Sequence, residues 1–170
     1  LKPGKEKWCV TCHDDSPAFS QPVDVGLTGI IVDDDDAVFD PDCAPPSGYP
    51  DSPVGSPPNG DYTTQWVYYW GSPDEYGNGF REITNSEGAP WATATWTPNI
   101  TEAGDYHVYA WWVPGSIYWR ATNAPYTINY NGGSETIRVN QTEHGPPGGI
   151  WNYLGTWNFA VGTSGNVVMT

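Results

Sequence analysis

Polar and apolar residues alternate through much of the chain, most densely between Ala92 and Asn140. Successive strand residues point to opposite faces, so a period of two predicts a half-buried β-strand. Thr93 to Thr97 alternates threonine with small and aromatic residues and predicts one such strand. Pro98 to Gly104 is a turn. Beyond it Tyr106, Val108, Ala110 and Trp112 fall on one face, and His107, Tyr109, Trp111 and Val113 on the other, until Pro114 and Gly115 stop the strand. Tyr126, Ile128 and Tyr130 form the next apolar row. Asn131-Gly132-Gly133 predicts a tight hairpin, because these residues accept positive φ cheaply. After it Ile137 and Val139 face the core while Thr136 and Arg138 face water.

Weaker strand signals flank this spine. They lie at Gly29 to Val32, at Thr63 to Trp70, at Phe80 to Ile83, at Trp151 to Phe159 and at Val167 to Thr170. Gly155 interrupts the Trp151 to Phe159 run and predicts a β-bulge. The stretch from Phe39 to Asp61 holds Pro45, Pro46, Pro50, Pro53 and Pro57, which cannot pair well in a sheet, and reads as a long loop. Residues 1–22 show no strand pattern and read as a separate, irregular N-terminal element ahead of a β domain over 23–170. With about eight strands and no amphipathic helical window, the chain is predicted to be all-β, a jelly-roll-like antiparallel β-sandwich.

Composition narrows the function. The 170 residues suffice for one sandwich, and 20 glycines with 17 prolines favour turns over long helices. A net charge of −14 repels phosphate backbones, which argues against nucleic acid and in favour of cations or neutral sugars stacked on aromatic rings. No apolar run reaches the length of a membrane span. No carboxylate pair, Ser/His/Asp set or phosphate-binding loop stands out, so the chain reads as a non-enzyme. Its start at Leu1 suggests a processed protein or a piece of a longer one.

Ile30-Ile31-Val32-Asp33, ATATWTPNI, GDYHVYAWW, RATNAPYTI, IRVNQT, WNYLGTW and VGTSGNVVM together carry a family resemblance. The stretch from Ile30 to Thr170 resembles the golvesin C-terminal-like domain, the carbohydrate-binding-type domain of xanthan lyase. The resemblance implies a galactose-binding-type sandwich appended to secreted, extracellular or cell-surface bacterial proteins and not itself catalytic. Two departures stand out: the loop over 39–61 is longer, and the family's last strand is absent after Thr170. A sandwich short of one strand would leave an open edge beside Val167 to Thr170. The remainder of a longer polypeptide, or a neighbouring copy, would then supply the strand.

Four groups of residues are candidates for chemistry. Cys9-Val10-Thr11-Cys12-His13 has the spacing of a c-type haem site. Two thiols add to the porphyrin vinyl groups, and the next residue, His13, folds under the iron as its axial ligand. The alternative is a redox or structural Cys-x-x-Cys pair. The flanks, WCVTCHDDSP, resemble sites in bacterial multihaem cytochromes. His107 and His144 read as exposed histidines, so the distal ligand is expected from elsewhere in a longer polypeptide or a neighbouring chain. Asp33, Asp34, Asp35, Asp36 and Asp40, with Asp42, crowd carboxylates that calcium would neutralise, although the spacing is not that of an EF-hand. Trp66, Trp70, Trp111, Trp112, Trp119 and Trp151 are too many for the core alone, so an aromatic, sugar-holding face is expected on the Trp111/Tyr109 side. Asn99 and Asn140 open glycosylation sequons, and Cys43 has no evident partner.

The sequence therefore reads as a segment of an extracellular c-type cytochrome. It would pass electrons to redox partners through haem c, with the sandwich as spacer, adhesion or matrix-binding module. Its rival is a haem-free, calcium-stabilised, glycosylated surface protein that binds polysaccharide or builds a filament.

Overall fold

The computed structural model describes residues 7–10, 29–32, 36–40, 66–69, 80–83, 92–113, 120–142 and 151–170; for 7–10 and 67–69 only the backbone is considered. Every regular element among these residues is a strand. They are β1 (Lys7–Val10), β2 (Gly29–Val32), β3 (Val38–Asp40), β4 (Val67–Tyr69), β5 (Phe80–Glu82), β6 (Thr93–Trp96), β7 (Gly104–Ala110), β8 (Ala124–Tyr130), β9 (Gly133–Val139), β10 (Asn152–Phe159) and β11 (Asn166–Met169). One sheet has the order β10-β7-β1-β2, a second β3-β6-β11-β8-β9, and β4 with β5 forms a separate ribbon. The all-β antiparallel sandwich expected from the sequence is what the chain builds.

Alternation explains the core. From β7 the buried residues are Tyr106, Val108 and Ala110; from β6, Ala94 and Trp96; from β8, Ala124, Tyr126 and Ile128. Trp157 and Phe159 of β10 and Val167 of β11 join them in one cluster that holds residues of both sheets. Each large side chain buried this completely contributes about 1.5–3 kcal/mol relative to exposure. Ile137 and Val139 pack against the cluster from β9, while Thr136 and Arg138 are exposed. The β8–β9 hairpin turns on Asn131 and Gly132, with Gly132 at φ 100°. Asn131 then donates from its backbone N–H to the Asn158 carbonyl at 2.8 Å, and Trp157 Nε1 donates to Glu135 at 2.9 Å. Those two bonds tie the hairpin to β10, an edge strand of the other sheet.

The ribbon is held from two sides. Trp66, just before β4, is 2% exposed and donates its indole N–H to the Thr93 carbonyl at 2.9 Å. Arg120 bonds Glu82 of β5 at 2.5 Å and the Val113 carbonyl at 2.6 Å.

Four features differ from the sequence-based expectation. Phe39 and Asp40, read as the opening of the long loop, belong to β3 and pair with β6, because Phe39 is drawn into the core. Within the stretch 1–22, where no strand pattern was found, Lys7–Val10 form β1 and pair in parallel with both β2 and β7. Further along, β11 pairs with β6 on one side and β8 on the other, so Val167 to Met169 lie inside a sheet and not at an open edge. An apolar run this short cannot tell a central strand from an edge, because its neighbours come from distant sequence. Lastly, β7 stops at Ala110, so alternation does not continue through Trp112: Trp111 and Val113 are buried, and Trp112 is only partly so.

Candidate functional site

The outer face of the four-stranded sheet carries a grouping of aromatic rings. On β7 the residues between the buried positions are Asp105, His107 and Tyr109. Their cross-strand partners on β10 are Asn158, Thr156 and Tyr153. In an antiparallel pair, opposite residues share a face, so three pairs stack along one surface. Tyr153 is 56% exposed. Its ring centroid lies 5.3 Å from that of Tyr109 and 5.7 Å from that of His107. Ile31 of β2, 47% exposed, closes the row on the far side, and the backbone of Cys9 stands in register between Ile31 and Tyr109.

A register shift assembles this face. Residues 153 and 156 are an odd number apart, so a regular strand would send their side chains to opposite faces. The irregularity between Tyr153 and Gly155 inserts one residue, and both side chains emerge outward. There the Tyr153 hydroxyl and Thr156 Oγ1 are 2.6 Å apart, and Thr156 Oγ1 lies 2.5 Å from His107 Nδ1. Thr156 thus joins a phenol and an imidazole in one hydrogen-bonded chain. Next along, Asn158 donates to Asp105 at 3.0 Å and accepts from Asn131 at 3.0 Å. Only glycine fits at the bulge, since a Cβ on Gly155 would sit 2.4 Å from the Trp157 ring.

Other expected site residues fall differently. Trp111 is 6% exposed and packs edge-on to Trp151 at 5.4 Å, so its ring is buried and not open to a ligand. Trp66 is likewise a core residue. Tyr109 and His107 are on the surface as expected; Tyr153 and Thr156, not singled out from the sequence, complete it. Gly155 marks the irregularity in the sequence, but only the register shift shows that residues 153 and 156 share a face.

Cys12, His13, Cys43 and His144 lie outside the described residues, as do Asp33, Asp34 and Asp35. Of the haem motif only the backbone at Cys9 and Val10 is described, at the end of β1. Asp36 and Asp40 are exposed, and no three metal-ligating side chains cluster among the described residues. The two sequons differ: Asn99 is exposed, whereas Asn140 is half-buried and its Oδ1 accepts from the Thr142 N–H at 3.1 Å and from the Thr142 hydroxyl at 2.7 Å. No described helix is long and apolar enough to cross a membrane.

Residues 56–170 match the family model of the Golvesin C-terminal domain. The chain belongs to this family. The match opens inside the proline-rich stretch of the sequence and takes in β4 to β11, including His107, Tyr109, Tyr153 and Thr156; β1, β2 and β3 precede it. A xanthan lyase of Bacillus sp. (strain GL1) is 29% identical over 96 residues, which is 56% of this chain and 10% of that protein. The solved structure of a Paenibacillus xanthan lyase superposes with a TM-score of 0.55 at 28% identity, covering 78% of this chain and 11% of that one. The chain thus spans about a tenth of the length of these relatives.

Proposed function

We propose that this golvesin domain is a non-catalytic, carbohydrate-binding module of an extracellular protein. Family membership carries the reading, and the likeness to a small part of two xanthan lyases supports a sugar polymer as the partner. The sandwich suits the role: a rigid two-sheet core presents flat outer faces of side chains at fixed spacing. Affinity electrophoresis of the full chain through gels holding neutral or acidic polysaccharides tests it. Retardation in at least one gel is the expected result, with no loss of polymer viscosity. Unchanged mobility in every gel would leave the sandwich as a spacer.

A second reading rests on Cys9-Val10-Thr11-Cys12-His13. With haem attached through the two thiols and His13 on the iron, the same chain would be part of an extracellular electron carrier. The expected observation is a reducible c-type spectrum that survives denaturation. A colourless protein with free or disulfide-bonded cysteines would overturn it and leave the carbohydrate reading intact.

A further inference from the structure

We infer that the polysaccharide site is the outer face of β7 and β10, centred on Tyr109, Tyr153, His107 and Thr156, and that its ligand is a neutral polysaccharide. The inference rests on the carbohydrate-binding reading above and adds a place and a ligand class to it.

Three observations converge on this face. Sugar rings are held by aromatic surfaces through their apolar C–H faces, with hydrogen bonds around the rim. Tyr109 and Tyr153 supply adjacent rings at 5.3 Å, one of them more than half exposed. Directly beside the rings, Thr156 and His107 supply a hydroxyl and an imidazole, and one strand pair further lie Asp105 and Asn158. From the tyrosine pair to the Asp105/Asn158 pair the strand rises about 13 Å, a track suited to several linked sugar rings. The rim is amphoteric: hydroxyl, amide and imidazole groups both donate and accept, as an array of sugar hydroxyls requires.

The bulge is the second observation. Packing alone is satisfied when residues of β10 alternate regularly; the inserted residue instead turns Tyr153 and Thr156 to one face and forces a glycine at 155. Bulges of this kind re-aim side chains beside functional sites. Here the outcome is a ring and two hydrogen-bonding groups side by side on the solvent face.

Charge decides the ligand class. Asp105 is the only carboxylate in the three β7/β10 outer pairs, no lysine or arginine stands among them, and the chain carries −14. The one cationic residue in register with these pairs is Lys7 of β1, beside His107, and against it the net charge of −14 repels anionic polymers.

The test is affinity electrophoresis and calorimetry of the full chain against a mixed-linkage glucan, a galactomannan and a xylan, with alginate and xanthan as polyanions. Wild type should bind at least one neutral polymer. Tyr153→Ala should weaken that binding about tenfold, while Tyr153→Phe, which keeps the ring, should lose only about two- to threefold. Unaltered thermal unfolding of both variants establishes that they are folded. Neutral-polymer binding that Tyr153→Ala and Tyr109→Ala both leave unchanged would overturn the site and spare the carbohydrate reading. Binding to polyanions alone would overturn the ligand class, and binding to none would overturn both.

Discussion

Across the outer face of the five-stranded sheet one row of partnered residues reads Val38, Thr95, Val168, Thr127, Thr136. The row on the four-stranded sheet reads Ile31, the backbone position of Cys9, Tyr109, Tyr153. The two sheets share one core and differ in what they show to solvent. Threonine and valine satisfy the pleat and ask nothing of the backbone: the β6–β11, β11–β8 and β8–β9 ladders run in continuous register. Tyrosine also has high strand propensity, but here the outward ring comes with a register shift and a glycine that admits no Cβ. One face is what a stable sheet needs. The other carries an irregularity beyond that need, which is where a binding surface is best sought.

Two glycines separate stability from surface, and their substitution should give the largest effects. A Cβ on Gly155 would meet the Trp157 ring at 2.4 Å, and one on Gly165 would meet the Phe159 ring at 2.4 Å and the Asn129 carbonyl at 3.2 Å. Overpacking at each site costs about 1–3 kcal/mol, seen as a lower urea midpoint for Gly155→Ala and Gly165→Ala. Only Gly155→Ala should also weaken polysaccharide binding, because only there does the shift set the positions of Tyr153 and Thr156. Equal loss of binding in both variants would mean that global stability, and not the bulge, governs the surface.

Strands whose two faces differ in polarity could be found from the sequence alone. The Asn131-Gly132 hairpin and the β6, β7, β8 and β9 rows follow from local alternation, and Gly155 marked the bulge. What escaped was non-local. Trp8-Cys9-Val10 carries no period-two signal, and its strand state comes from β2 and β7 lying on either side. Extending the β7 alternation past Ala110 makes Trp111 an open outward ring, but the strand has already ended there and the ring is buried against Trp151. Tyr109 and His107 were legible as surface residues. Their partners were not, because residues 153 and 156 share a face only once the register shift is known.

A double-mutant cycle on Tyr109 and Tyr153 measures how much of the aromatic pair serves the fold. Rings at 5.3 Å on a strand pair couple by about 0.5–1.5 kcal/mol. Tyr109→Ala and Tyr153→Ala should therefore each lower the unfolding free energy by about 1 kcal/mol and be clearly non-additive together. Binding should respond more strongly than stability. Should the cycle show strong coupling while binding ignores both substitutions, the pair is a packing device like the valines and threonines of the opposite sheet.

The smallest effect belongs to the opposite face. Thr127 Oγ1 and Thr136 Oγ1 are 2.9 Å apart on the outer side of β8 and β9, and Thr136 is exposed. Removing either hydroxyl leaves the other free to bond water, so the net loss is the small difference between two satisfied states. Cross-strand threonine pairs contribute about 0.2–1 kcal/mol, and Thr136→Ala is expected in the lower half of that range by urea unfolding. Its affinity for a neutral polysaccharide should match wild type, since no ring on this described row offers a stacking surface. The measurement discriminates sharply because the variant barely touches stability: any tenfold loss of binding in Thr136→Ala would have to be a direct contact. That result would transfer the sugar site to the threonine face and leave Tyr153 as an exposed ring that merely covers β7.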